Sequence, residues 1–542
     1  MKKIVLREEN ITERRAVICF FVIISMLMSC VMRVAVIAQS DYKEAAVRQS
    51  GYRITVGKIR GTVYDCNMMP ITNQKSKIMA AVSPTPEAIV AISAATEGKE
   101  KNRVLSELKS GKPAVCEVKK KITASGIVCT EVYENECSDM PAEHIIGYVD
   151  SDNHGVGGIQ SAYDDLLYSD SSVDAVFSKN GRGELLYGIE PYFDNDLSAV
   201  NKGVVTTLDL NIQNIAQSAA QKIKTGAVVV ADPYNGEIKA MVSRPDFDVL
   251  NVAKYLNDEN APLLNRALAS YSVGSAFKPC VAAAALENNI TGFTFNCTGK
   301  THIIDRDFHC HKRSGHGFMD LKGALAQSCN CYFYNFALKT GASAIYKQAR
   351  CMSFEGNIKI GNNLETSKGI LPDFDTISAN EAALANLSIG QGKLLLSPVS
   401  MLTLYSAIAS DGTYVLPHII KGTVSDGATE KYDSGNKTRA MSEETAKQIR
   451  EDLAAVVNEG TGTQAKPKNT TAAGKTATAQ TGRFGSDGKE INNGWFCGFF
   501  PAENPKYTVI VMTEGTVEVS SAAVFADIAD SVTEYEKTKN RG

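Results

Sequence analysis

A chain of 542 residues, 44% hydrophobic and 22% charged, has the composition of ordinary globular protein and length for roughly two to four domains. Its formal net charge of −3 leaves no basic footprint, which argues against nucleic acid as a partner.

Ala16 to Met32 is a run of 17 uncharged residues, and the apolar texture resumes after Arg33 as VAVIA. About 20 apolar residues span a bilayer, so residues 16–38 are expected to form a single transmembrane anchor. Lys2, Lys3, Arg7, Arg14 and Arg15 precede the run and only Arg33, Lys43 and Arg48 closely follow it. The positive-inside rule then keeps residues 1–15 in the cytoplasm and sends the rest of the chain outside. A cleaved signal peptide is the competing reading, with Val36-Ile37-Ala38 as a poor cleavage site. Of the 13 cysteines, Cys19 and Cys30 fall in the apolar run, and the other eleven form no compact framework. Cys297 with Cys310 is the first pair to test for a bridge, with free buried thiols the equal alternative. There is no CxxC pair of zinc spacing, so neither a metal nor any other cofactor is expected.

From residue 39 to 202 the chain is polar and mixed, with short alternating runs such as Tyr52-Arg-Ile-Thr-Val and Ile127-Val-Cys-Thr-Glu-Val-Tyr. These read as strands of an α+β domain. From Gly203 the texture changes. A helical pattern at Ile212 to Ile223 precedes Gly226-Ala-Val-Val-Val-Ala and Glu237-Ile-Lys-Ala-Met-Val, which flank Pro233-Tyr-Asn-Gly, and Asn-Gly between two β-rich runs predicts a hairpin. Pro262 to about Glu459 reads as mostly helical, with Lys421 to Arg439 an exposed loop. Ala472 to Thr481, the Gly494-Trp-Phe-Cys-Gly-Phe-Phe segment and Tyr507-Thr-Val-Ile-Val-Met-Thr read as three more strands, followed by a helix from about Ala522.

Within the helical insert, YSVGSAFKPCVAAAAL (Tyr271 to Leu286) sets a hydroxyl and an amine three residues apart. Pro279 is tolerated only in a first turn, so a helix is expected to begin close to Ser275, with Ser275 and Lys278 on one face. A serine beside a base able to take its proton is the geometry of an activated nucleophile. The same SxxK spacing recurs at Ser40/Lys43, Ser106/Lys109, Ser434/Lys437 and Ser486/Lys489, where solvated surface residues are expected. What distinguishes Ser275 is its company, Ser328-Cys329-Asn330 and then Lys475-Thr476-Ala477-Thr478. SxxK, SxN and KTG in that order are the signature of penicillin-binding proteins and class A β-lactamases.

On these motifs the chain resembles a class B penicillin-binding protein, a peptidoglycan D,D-transpeptidase of the cell wall. Leu264-Asn-Arg-Ala, His316-Gly317, Ile389-Gly-Gln-Gly and Ser397-Pro398 extend the likeness through residues 203–542. Arg60-Gly-Thr-Val-Tyr-Asp, His144-Ile-Ile-Gly-Tyr-Val and Gly157-Gly-Ile-Gln-Ser-Ala-Tyr-Asp look like parts of the family's non-catalytic pedestal, with Gln160 where the family usually has Glu. His144 and Gln160 are expected to be structural. The resemblance implies an α+β fold with an antiparallel five-stranded sheet built from both ends of the domain and a helical insert carrying the nucleophile. It implies Ser275 as nucleophile, Lys278 as base, Ser328 as proton relay, Asn330 as partner of substrate and Lys278, and Lys475 as the second cation. Thr476 and Thr478 would bind the substrate's terminal carboxylate, with the backbone N–H groups of Ser275 and Thr478 as oxyanion hole.

Ala477 departs from the family's usual Gly, and its methyl either packs or narrows the groove where substrate pairs with the strand. Gln391 either lines the cleft or holds its turn. Implied partners are the stem peptides, β-lactams, the cytoplasmic membrane and a membrane-embedded glycan polymerase. The alternatives are a non-catalytic scaffold for that polymerase, or a hydrolase of carboxypeptidase or β-lactamase type. For a class A β-lactamase the deacylating glutamate is missing, since Glu381-Ala-Ala-Leu-Ala-Asn misses the ExxLN spacing by one residue. The acidic Glu-Asp-x-x-Phe pattern of a glycosyltransferase is absent too, which argues against a bifunctional class A enzyme.

Overall fold

The computed structural model describes residues 2–39, 51–186, 188–195, 201–425, 427–484, 488, 490–515 and 520–539. Ser40, Lys43, Arg48, Ser486 and Lys489 lie outside them. An N-terminal helix runs from Lys2 to Gln39. Its Glu13–Val36 stretch is 24 residues of mean hydropathy 2.5, long and apolar enough to cross a membrane, and none of it is buried by protein.

The chain divides into two compact units, Met1–Gly57 with Ser76–Val132 and Ser172–Asp196, and Lys58–Lys75 with Tyr133–Ser171 and Leu197–Gly542. Residues 39–202 thus contribute to both. The first unit holds two three-stranded sheets, Gly51–Lys58 with Ser172–Ser178 and Tyr192–Asn195, and Ala114–Val118 with Lys75–Val82 and Ile127–Glu134. Helices Pro86–Ala95 and Gly98–Lys109 pack Ala88, Ile92, Val104 and Leu108 on the second of these.

In the second unit a helix α1 (Leu210–Ala220) precedes strands β1 (Gly226–Ala231) and β2 (Ile238–Arg244). Helices α2 (Lys278–Glu287), α3 (Asn330–Thr340), α4 (Pro398–Ala409) and α5 (Glu443–Glu459) follow, then strands β3 (Ala473–Phe484), β4 (Glu490–Phe500) and β5 (Tyr507–Thr513) and helix α6 (Ser521–Lys539). The strands form one antiparallel sheet in the order β2-β1-β5-β4-β3. Side chains alternate across a strand, and here both faces are covered. Val228, Val230, Phe496, Phe500, Val509 and Val511 pack with α1 and α6, whereas Val229, Met241, Trp495, Cys497, Phe499 and Ile510 face the helical insert. That double burial explains why these strands read as continuous apolar runs. Within the insert α4 is buried at every position and α2 from Lys278 to Ala285, as expected of helices apolar all round.

Two local expectations change. The 421–439 stretch is not a loop throughout. Ile420–Ser425 pairs with Ala428–Lys431 around Gly427 at φ +82°, and this hairpin extends a sheet formed by Gly203–Thr206 and Thr62–Tyr64. Thr423 and Val424 have the β preference, and a glycine free to adopt positive φ closes the turn. Near Ser275 the α-helix starts only at Lys278, after a 3₁₀ turn over Gly274–Phe277. Pro279 has no N–H to give the Ser275 carbonyl, so the Lys278 N–H takes it instead.

Arg60 knits the second unit. Its side chain is fully buried and donates to Gln160 Oε1 (2.7 Å), the Gln160 carbonyl (2.9 Å), the Asn153 carbonyl (2.6 Å) and Asp164 Oδ1 (2.7 Å). His144 also plays a packing part, its Nε2 meeting the Pro262 carbonyl at 2.7 Å and its ring lying edge-on to Phe247. Replacing Arg60 by Met would take the donor from Gln160 Oε1 and the Asn153 and Gln160 carbonyls, and leave Asp164 with only the Gly155 N–H and His154. We expect Arg60→Met to cost about 3 kcal/mol, read as a fall of several degrees in the thermal midpoint, and an unchanged midpoint would show the network to be dispensable.

Candidate active site

Ser275 opens onto a cleft of about 1080 Å³ that Ser328, Asn330, Thr476, Ala477 and Thr478 also line. Its turn is held from three sides. Gly274, at φ +54°, gives its N–H to the Gly390 carbonyl (3.1 Å), and a Cβ there would press on Thr478 O and Ala479 at 3.1–3.2 Å. Tyr405, buried in α4, donates its hydroxyl to the Ala276 carbonyl at 3.0 Å. Glycine is required at 274 both for the left-handed backbone and for the close approach of β3.

Lys278 lies beneath the cleft with no exposed surface. Its Nζ donates to the Ser328 carbonyl (2.8 Å), Ser328 Oγ (3.2 Å) and Asn330 Oδ1 (2.8 Å), and Ser275 Oγ is not among its hydrogen-bond partners. Lysine only donates, so it fixes the Asn330 amide with Oδ1 inward, and the amide NH₂ is what remains to offer outward. Burial lowers the Lys278 ammonium to about 7. Ser328 sits between the Leu321–Ala326 helix and α3, in the left-handed region at φ +51°. Cys329, wholly buried, caps α3 by accepting the Tyr332 N–H on Sγ at 3.4 Å.

Lys475 is on β3 with Ala473, Ala477 and Ala479 directed to the helical insert, while Thr476 and Thr478 alternate to the other face. It too is wholly buried, and its Nζ donates to the Thr476 carbonyl at 3.0 Å and Thr476 Oγ1 at 3.5 Å. Burial and then the nearby Lys278 charge push its pKa well below the ordinary lysine value. Since β3 is an edge strand, the alternate backbone groups on its outer side have no strand partner there and stay free to pair with a bound chain. Ala477 pairs with Trp495 and is 7% exposed within the main core cluster.

Gln391 is not among the residues lining this cleft; its N–H meets the Asn386 carbonyl at 3.0 Å, and its neighbour Gly390 packs on Gly274, the residue before Ser275. Sequence reasoning missed Thr461, Gln464, His311 and Ser521, which do line it. Thr461 Oγ1 lies 2.7 Å from Thr476 Oγ1. None of the four sits in a motif, although Thr461 follows α5 just upstream of the Lys475 segment.

Residues 226–533 match the profile of the penicillin binding protein transpeptidase domain. Stage V sporulation protein D of Bacillus subtilis is 27% identical over 95% of this chain and 84% of its own length. The peptidoglycan D,D-transpeptidase MrdA of Acinetobacter baumannii is 28% identical over 71% of this chain and 63% of its own length. Among solved structures, penicillin-binding protein 3 of Mycobacterium tuberculosis, complexed with aztreonam, superposes with a TM-score of 0.66 at 23% identity, over 90% of this chain and 97% of that one.

Two outcomes follow from the geometry. A buried amine can accept a proton only when neutral, and a pKa of about 7 puts that change near neutrality, so acylation by benzylpenicillin should speed up as pH rises through about 7. A rate flat from about pH 5.5 to 8.5 in stopped-flow measurements would remove Lys278 from the proton path. Although Ala477 lines the cleft, it is only 7% exposed and its methyl packs in the main core cluster, so Ala477→Gly should leave the acylation rate within about twofold while costing about 0.5–1 kcal/mol of stability. A several-fold faster acylation would show that the methyl obstructs the groove.

Proposed function

The chain belongs to the penicillin-binding protein transpeptidase family as a serine-type D,D-transpeptidase, and we propose how its residues divide the reaction. Neutral Lys278 takes the proton from Ser275 Oγ as that oxygen attacks the penultimate D-alanine carbonyl of a stem peptide. The backbone N–H groups of Ser275 and Thr478 hold the oxyanion. As the C–N bond breaks, the proton passes from Lys278 through Ser328 Oγ to the departing D-alanine amine, which leaves an acyl ester on Ser275. An acceptor amine then attacks the ester, gives its proton to the same base, and Ser275 leaves as the alcohol. Asn330 anchors Lys278 and offers its NH₂ to the substrate backbone. Thr476 and Thr478 bind the terminal carboxylate, Lys475 supports that edge through its amine on Thr476, and burial is what lets Lys278 be neutral.

The observation that carries this reading is the triple hydrogen bond of buried Lys278 to Ser328 and Asn330, at 2.8–3.2 Å, beneath a cleft that Ser275 and the Thr476–Thr478 edge also line. β-Lactams would acylate the same oxygen. The basic residues ahead of the apolar helix support an N-terminus inside and a catalytic unit outside the cytoplasmic membrane. There a membrane-embedded glycan polymerase would supply the strands to be cross-linked.

Incubation of the full chain with a fluorescent penicillin should give one covalent adduct that Ser275→Ala abolishes. An adduct of unchanged intensity on that variant would refute Ser275, and no adduct on the wild type at saturating label would favour the scaffold. Product analysis with an acceptor peptide separates the remaining cases, because a carboxypeptidase or β-lactamase-type hydrolase transfers the acyl group only to water.

A further inference from the structure

Beside the site, four side chains that the proposed reaction does not use converge. Cys297 ends the strand Phe295–Cys297, Cys310 follows the strand Arg306–His309, His316 precedes the strand Gly317–Met319, and Cys329 is the middle residue of Ser328-Cys329-Asn330. Their ligand atoms all lie within 4.8 Å of one another. Cys297 Sγ and Cys310 Sγ are 3.7 and 3.5 Å from His316 Nδ1, and Cys310 Sγ is 3.9 Å from Cys329 Sγ. A tetrahedral zinc ion with bonds of about 2.3 Å to sulfur and 2.0–2.1 Å to nitrogen requires edges of about 3.8 Å between sulfurs and about 3.6 Å from sulfur to nitrogen. All 13 cysteines are free thiols, so Cys297 and Cys310, the pair singled out for a bridge, are not joined. We propose that Cys297, Cys310, His316 and Cys329 bind one zinc ion, which clamps the loop carrying Ser328 and Asn330.

Three further observations support a built site. The cysteines are 0–1% exposed, so their thiolates would be unsolvated without a cation. Gly299 and Gly315, at φ +94° and +81°, let the two arms of the intervening loop press together, and a Cβ on either would meet backbone oxygen at 2.0–2.2 Å. The Cys310 N–H is tied to the Gly299 carbonyl at 2.9 Å. Three thiolates and an imidazole are a soft set that suits zinc, and four protein ligands leave no open position, which makes the site structural. Binding releases up to three thiol protons and changes no oxidation state. The spacing C-x12-C-x5-H-x12-C contains no CxxC, and for that reason the sequence gives no metal signal.

The clamp acts through Cys329. With its sulfur fixed by the metal and its N–H held by the Ala324 carbonyl at 2.9 Å, the left-handed backbone at Ser328 and the start of α3 are both pinned. These bear the three acceptors of Lys278. The four residues are positioning residues; none faces the reacting atoms.

The test uses the full chain in detergent, purified under reductant with a non-histidine tag. Elemental analysis should find about one zinc per chain, and Cys310→Ser or His316→Ala should lose it. Should those variants fail to fold, cobalt exchange into the wild type gives an independent reading, through visible bands of tetrahedral geometry and a thiolate-to-cobalt charge-transfer band. Removing the metal with a chelator should slow penicillin acylation about tenfold or more, with recovery on adding zinc. Less than about 0.1 zinc per chain after incubation with excess zinc and dialysis, without a cobalt spectrum, overturns the site. A Cys297–Cys310 disulfide in protein that acylates at full rate does the same, and metal loss with no change in acylation overturns the clamp. Metal content is read without any acylation, so failure of this site and failure of the Ser275 assignment are separately visible.

Discussion

A lysine amine with no water around it must be given its hydrogen bonds by the fold, and the catalytic unit is arranged around meeting that demand at Lys278. Three acceptors, two from Ser328 and one from Asn330, match its three donors. An unpaired buried ammonium would cost several kcal/mol, so these bonds tie α2 to the segment fifty residues downstream. Pro279 sets where α2 begins, Tyr405 and Gly390 hold the preceding turn, and β3 closes over Gly274. The same burial that makes the contact structurally necessary lowers the proton affinity of the amine. Stability and reactivity thus depend on one desolvated group.

Features carried by local chemistry were legible in the sequence. The β1–β2 hairpin around Asn235-Gly236, the three C-terminal strands and the apolar helices α2 and α4 follow from periodicity, β-branching and turn residues that act over a few positions. The start of α2 was misread by three residues because a proline signals the first turn without saying whether that turn is α or 3₁₀. The hairpin at 420–431 was hidden by its composition, since the second strand, Ala428–Lys431, is exposed throughout and the first, Ile420–Ser425, buries only Ile420 and Gly422, so neither shows a clear apolar pattern. Arg60 shows another limit, since its partners at 153, 160 and 164 are brought to it by tertiary packing that no window of sequence contains.

The same division runs through the site. Ser275, Lys278, Ser328, Asn330 and Lys475 were nameable because they stand in motifs of fixed spacing, and the alternation along β3 correctly separates Lys475 and Ala477 from Thr476 and Thr478. Thr461 and His311 enter the cleft from segments without such spacing. Gln391, by contrast, sits in a motif-like turn yet stays outside the cleft, where the conformational freedom of its flanking glycines is what the turn requires. The cysteines were scattered along the chain, and only the folding of 297–329 back on itself groups three of them with a histidine.

The polarity of the hydrogen bonds along β3 bears on which charge the cleft would accept. Lys475 directs its amine hydrogens to both oxygens of Thr476. A hydroxyl that accepts from lysine keeps its own proton for another partner, and Thr461 Oγ1 stands 2.7 Å away to receive it. The Thr461 proton is then left to point into the cleft. Each hydroxyl in the row is thereby oriented by the lysine amine at its end, and the row presents donors outward. An anionic carboxylate fits such an edge, whereas a protonated amine would meet hydrogens with two buried lysines behind them. In the proposed reaction this makes the sheet edge selective for the end of the donor peptide that carries its free carboxylate, before the nucleophile is engaged.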